Sequence, residues 1–146
     1  MIVMSDSEKL ETRQGKILIV DDEQGIRETL KKILEKAGFY VETAMDYRTV
    51  QKAINNLSFD IIIMDIILPR MNGIEILESL NEEFDGFNSA VIFFTGEPNL
   101  NTLLRAIRLG AYDYLEKPIG RKKLLNSIKL TVKRRNQKLA ILEKNK

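Results

Sequence analysis

The chain has 146 residues, 44% of them hydrophobic and 30% charged, with a net charge of +2, the size and composition of one globular domain able to bury a core. It contains no cysteine and no histidine. Their lack excludes disulfides, thiolate metal sites, cysteine catalysis, a Ser-His-Asp triad, the usual zinc sites and a phosphohistidine on this chain, and fits a reducing compartment.

Residues 1–15 are polar and without a period, and are expected to be a flexible extension. The first apolar run, Lys16-Ile-Leu-Ile-Val20, ends at Asp21-Asp22. Ile26, Leu30, Ile33, Leu34 and Ala37 then recur at steps of three and four, which predicts a helix stopped by Gly38. Tyr40-Val-Glu-Thr-Ala44 alternates more and reads as an edge strand. Asp46 is placed to cap a second helix carrying Val50, Ala53, Ile54 and Leu57. Phe59-Asp-Ile-Ile-Ile-Met64 is the next strand and ends at Asp65. A third helix from about Gly73 puts Ile74, Ile76, Leu77 and Leu80 inward. Ala90-Val-Ile-Phe-Phe94 ends at Thr95. Asn99 or Asn101 caps a fourth helix with Leu103, Leu104, Ile107 and Leu109, closed by Gly110. Ala111-Tyr-Asp-Tyr-Leu115 precedes Lys117, and a fifth helix runs from near Gly120 almost to the end.

Strands this short and this continuously apolar are covered on both faces, which favours a parallel sheet. Each parallel crossover needs a helix to return the chain, so five alternating pairs predict a doubly wound α/β domain. In such a sheet the polar residues at the strands' carboxyl ends converge on one crevice. Asp21, Asp22, Asp65, Thr95 and Lys117 all stand there. Three carboxylates in one crevice repel one another unless a cation neutralises them, and oxygen ligands suit Mg2+ (or Mn2+). Asp22 and Asp65 would give side-chain oxygens, Asp21 would hold a metal-bound water, and the backbone carbonyl of Ile67 would be a further ligand. The blander reading of Asp21-Asp22-Glu23 is that acids favour a helix start, and the two are evenly matched for that segment alone. An aspartate beside a metal and a lysine is suited to attack phosphorus and form an acyl phosphate.

Four stretches then carry a resemblance: Ile17-Leu-Ile-Val-Asp-Asp-Glu23, Ile63-Met-Asp-Ile-Ile-Leu-Pro-Arg-Met-Asn-Gly73, Thr95-Gly-Glu97 and Tyr112-Asp-Tyr-Leu-Glu-Lys-Pro118. In order, spacing and strand placement they resemble the receiver domains of two-component response regulators, over residues 16 to about 130. The resemblance implies a flavodoxin-like (βα)5 fold with strand order 2-1-3-4-5 and a receiver domain at 16–132. It also implies that Asp65 is the phosphoacceptor, that Asp21 and Asp22 belong to the metal site, that Lys117 contacts the phosphoryl group and that Thr95 moves to bond it. Tyr114 matches the aromatic switch position, though by itself it reads as a half-buried strand tyrosine. The Lys117-Pro118 peptide is expected to be cis. The implied donor is a sensor histidine kinase or phosphotransfer protein, and the implied output surface is the face of the fourth helix, fifth strand and fifth helix, a candidate homodimer contact. Such a domain is not an enzyme beyond its own phosphorylation and dephosphorylation. Two positions depart from the common pattern. Ile67, often polar in relatives, and Glu97 sit where hydrolysis of the acyl phosphate is tuned, and Gly96 replaces the usual alanine or other small residue.

Charge is uneven along the chain. Residues 1–120 hold 13 basic against 20 acidic side chains, and residues 121–146 hold 10 basic against one acidic, Glu143. Residues 133–146 are expected to be a basic helical tail or the start of a linker to an output domain. Leu125, Ile128, Val132, Arg135, Leu139 and Leu142 form a heptad seam interrupted by one charge, and so a second candidate dimer contact, with an ordinary amphipathic helix as the rival reading. Lys133, Arg134, Arg135 and Lys138 read as a solvated face. No nucleic-acid reading element follows them, and direct nucleic-acid binding is not expected. No apolar stretch nears the roughly 18 residues that span a bilayer, and no signal pattern opens the chain, so a cytoplasmic protein without membrane contact is expected. Two readings from other classes compete. One is a Mg2+-dependent phosphohydrolase with an aspartyl nucleophile, which would place an acid where Ile67 stands. The other is a flavin or nucleotide module, whose phosphate loop would be glycine-rich where this chain has Asp21-Asp22-Glu23.

Overall fold

A computed structural model of the chain describes residues 15–145. The predicted extension, apart from Gly15, lies outside the described residues. Five strands, β1 (Lys16–Val20), β2 (Tyr40–Ala44), β3 (Ile61–Asp65), β4 (Ala90–Thr95) and β5 (Asp113–Glu116), alternate with five helices. The helices are α1 (Gln24–Lys36), α2 (Tyr47–Asn56), α3 (Gly73–Glu83), α4 (Leu100–Arg108) and α5 (Arg121–Lys144). All strand pairs are parallel, in the order β2-β1-β3-β4-β5. This is the flavodoxin-like (βα)5 fold that the resemblance implies.

Alternation along the strands explains the two helical layers. Leu18, Val20, Ile62, Met64, Val91 and Phe93 point to one side, where Val50 of α2, Ile74, Leu77 and Leu80 of α3 and Ala106 of α4 cover them. Ile17, Ile19, Ile61, Ile63, Ile92 and Phe94 point to the other, under Leu30 and Leu34 of α1 and Leu124 and Ile128 of α5. Because β3 is central and covered twice, all five of its residues are buried, whereas in β2, at the sheet edge as read, only Val41 and Ala44 are buried, without strict alternation.

Local chemistry sets the ends. The Asp46 carboxylate accepts from the Thr49 N–H at 2.9 Å and Asn72 from Glu75 N–H at 2.9 Å, each within a reciprocal capping box. Asn99, rather than Asn101, caps α4 through the Thr102 N–H. At the other end of α4, Gly110 takes φ 83° while its own N–H reaches the Ile107 carbonyl and that of Ala111 reaches Ala106, a Schellman closure. That closure consumes Ala111, which is why β5 starts at Asp113, two residues later than the apolar run suggests. Phe59 and Asp60 likewise precede β3, the Asp60 N–H bonding back to the Lys16 carbonyl at 2.9 Å.

Candidate functional site

The carboxyl ends of β1, β3, β4 and β5 bring the predicted residues together. Asp21 and Thr95 are fully buried and Asp65 nearly so, while Asp22 faces solvent. Carboxylate oxygens of Asp21, Asp22 and Asp65 lie within 4.8 Å of one another. An all-oxygen, net negative set of this kind fits a hard divalent cation. The ammonium of Lys117 spans the gap, donating to Asp21 Oδ2 and to Asp65 Oδ2, each at 2.8 Å. It also lies 4.8 Å from the centroid of the Phe94 ring.

Backbone donors hold each carboxylate in place. The Glu23 N–H donates to Asp21 Oδ1 at 2.7 Å and the Ile67 N–H to Asp65 Oδ1 at 3.1 Å, so the second oxygen of each acid is the one turned to Lys117. Ile67, whose carbonyl is the expected metal ligand, thus sits in the turn beside the Asp65 carboxylate, and the residue is 48% exposed. The Glu97 N–H donates to Thr95 Oγ1 at 3.1 Å. The Lys117 N–H bonds the Thr95 carbonyl at 2.8 Å, and the Lys117-Pro118 bond that follows is cis.

Electrostatics follow from this burial. Desolvation pushes the Asp65 carboxyl up to about 6, against the hydrogen bond and charge of Lys117 and the Ile67 amide, with the Asp21 charge adding to the rise. Burial alone would weaken the Lys117 ammonium. The bonds to Asp21 and Asp65 outweigh it and raise its pKa.

Several further groups support or border the site. Arg27 of α1 donates to the Asp21 carbonyl at 2.7 Å. A Cβ on Gly73 would collide with the carbonyl oxygen of Asp65, so α3 approaches the β3 end only because that residue is glycine. Arg70 adopts φ 68°, the left-handed region, inside the loop after Asp65. Tyr114 is half-buried on β5, with its hydroxyl 2.8 Å from Thr102 Oγ1 and accepting from the Asn99 N–H at 3.4 Å. Of these, Gly73 and Tyr114 were named from the sequence, whereas the Arg27 and Thr102 contacts were not.

The sequence profile of the response regulator receiver domain matches residues 17–129. The chain belongs to that family. It is the receiver domain of a response regulator, the receiving part of a two-component system. The aerobic respiration control protein ArcA of Escherichia coli is 36% identical over 120 residues, 82% of this chain and 47% of ArcA. The transcriptional regulatory protein FixJ of Bradyrhizobium diazoefficiens is 30% identical over 84% of this chain and 58% of FixJ. The chain therefore spans about half the length of these curated relatives. A CheY-like receiver domain protein from Methanospirillum hungatei superposes with a TM-score of 0.78 at 32% identity, covering 84% of this chain and 97% of that one. NtrX from Brucella abortus gives 0.80 at 30% identity over 88% of this chain and 29% of NtrX. Receiver domains generally hold Mg2+ at an acidic pocket such as that of Asp21, Asp22 and Asp65. Among the described residues no helix is long and apolar enough to cross a membrane.

Proposed function

We propose that Asp65 accepts a phosphoryl group from a sensor histidine kinase or phosphotransfer protein. The observation that carries this reading is the single ammonium of Lys117 held 2.8 Å from both Asp21 and Asp65 at the mouth of the sheet. A carboxylate oxygen of Asp65 attacks phosphorus, and the bond from phosphorus to the donor imidazole nitrogen breaks with its electron pair on that nitrogen. An acyl phosphate remains. The Asp65 carboxyl, although pushed up to about 6, is mainly ionised at neutral pH and so able to attack. Lys117 passes its hydrogen bond from Asp65 to a phosphoryl oxygen, and Asp21 keeps the ammonium in place meanwhile. Asp21, Asp22, Asp65 and the Ile67 carbonyl would hold Mg2+ or Mn2+, which when bound neutralises charge on the transferred oxygens.

The Thr95 hydroxyl turns to bond the phosphoryl group, Tyr114 exchanges Thr102 and the Asn99 amide for an inward position, and the face of α4, β5 and α5 changes as a population shift. Leu100 and Ile107 of α4, 69% and 61% exposed, support that face as the contact for a partner or a second copy. The reading is of a cytoplasmic switch that catalyses only its own phosphorylation and dephosphorylation and touches no nucleic acid itself. It is favoured over a phosphohydrolase because the position for a second acid carries the exposed, apolar Ile67. Amide spectra of 15N-labelled protein with Mg2+ and beryllium fluoride test the switch. Shifts in the site and throughout α4, β5 and α5 are expected, shrinking to the site alone in Thr95→Ala; equal spread in both proteins contradicts it.

A further inference from the structure

The heptad spacing of α5 reads as a seam for another helix, yet the structure turns that seam toward the chain's own body. Ile128 is buried in the core layer beneath α5, and Leu125 and Val132 pack on the same layer. Farther along, Leu139 and Leu142 line a groove of about 400 Å3 with Leu77, Phe87 and Leu109. Contact thins toward the end, for Leu142 is already 52% exposed. Between the packed and the thinning parts stands Arg135, the charged interruption.

Arg135 has a built receptor. Its Nη1 donates to Asp60 Oδ1 at 2.8 Å, its Nε to the Asn88 carbonyl at 3.3 Å, and Nη2 to Asn88 Oδ1 at 3.4 Å. Its side chain is only 13% exposed. Asp60 is itself fixed, because Oδ2 accepts the Lys16 N–H at 2.8 Å and its backbone links β1 and β4. The guanidinium therefore joins α5 to the starts of β1, β3 and β4, at the pole of the sheet opposite the acidic site. In a parallel, in-register pair of this helix the two copies of Arg135 would face each other across the seam without an acid.

We propose that Arg135 is a clamp that docks the C-terminal part of α5 onto this pole, so that the seam is occupied by the chain's own body. Residues 133–144 then project in one fixed direction, and a second copy cannot pair along the seam until Arg135 leaves Asp60. Beyond Val132 the apolar contact narrows to Leu139 and the half-exposed Leu142 at the groove, which leaves Arg135 as the well-buried polar anchor of that part. The inference does not rest on phosphorylation of Asp65.

Since the chain has no cysteine, spin labels can be attached at Asp85→Cys and Lys144→Cys in the full, unphosphorylated chain, diluted into unlabelled protein so that only distances within one molecule are read by pulsed EPR. One narrow distance maximum is expected with Arg135 in place, and a broad distribution in Arg135→Ala. Asp60→Asn should broaden it as well, because an amide that turns its oxygen to the Lys16 N–H points its NH2 at the guanidinium. A distribution that is already broad with Arg135 present, or one that stays narrow in both variants, overturns the proposal.

Discussion

The two poles of the sheet each hold a cation against carboxylates, under different conditions. At the carboxyl pole Lys117 is shared by Asp21, wholly buried, and Asp65, 5% exposed at its side chain; at the amino pole Arg135 meets an Asp60 whose side chain is 41% exposed. Burial raises the stakes of the first pair and screening lowers those of the second. The first cluster has more negative charge than its lysine can neutralise, which suits a divalent cation. The second is balanced, which suits an anchor. Proximity of opposite charges thus means different things at the two ends of one sheet, and burial together with charge balance tells them apart.

Breaking each pole should separate them. Lys117→Met leaves Asp21 and Asp65 facing each other without a cation, and a loss of about 3 kcal/mol is expected in urea denaturation with chelator present. Added Mg2+ should restore part of it. Asp65→Asn acts in the opposite direction. The folded carboxyl titrates at about 6 against an ordinary 3.8, so its contribution to stability is complete below 3.8 and is lost as pH rises through 6. The asparagine variant should therefore exceed the wild type by about 2 kcal/mol at pH 7.5 without metal, with the gap closing as pH falls toward 4. Thermal melts across that range check it. At the amino pole Arg135→Ala should cost only about 0.5–1 kcal/mol, discounted for the exposure of Asp60, and wild-type stability there should fall with added salt. The smallest change sharpens the comparison within the site loop. Arg70→Gly removes a side chain from φ 68° and should stabilise by about 0.5 kcal/mol in denaturant titration, leaving both ion pairs intact.

What was legible in the chain follows the same division. Val20-Asp21, Met64-Asp65 and Phe94-Thr95 announce strand ends, because a buried parallel strand is a short apolar run and its first polar residue lies at the crevice. The α3 face was equally plain, with Ile74, Ile76, Leu77 and Leu80 all buried as spaced, whereas Leu104 and Ile107 of the α4 spacing are exposed. Boundaries were less so. The β5 start depends on how Ala111 closes α4, a hydrogen-bonding detail that hydrophobicity does not encode. The Arg135–Asp60 contact spans 75 residues and joins a helix to a loop, so no local period announces it. In sequence Arg135 interrupts a seam; in the fold it is the point where that seam is anchored. Thr102 and Arg27 escaped for the same reason, since each acts through a residue brought near only by the sheet.

The central claim is that the crevice of Asp21, Asp22, Asp65 and Lys117 places a phosphoryl group on Asp65. Intact mass after exposure to acetyl phosphate with Mg2+, with Asp65→Asn alongside, tests it most directly. A gain of one phosphoryl group in the wild type and none in the variant is the predicted result. An equal gain in Asp65→Asn, or no gain in the wild type together with no beryllium fluoride complex, would contradict it.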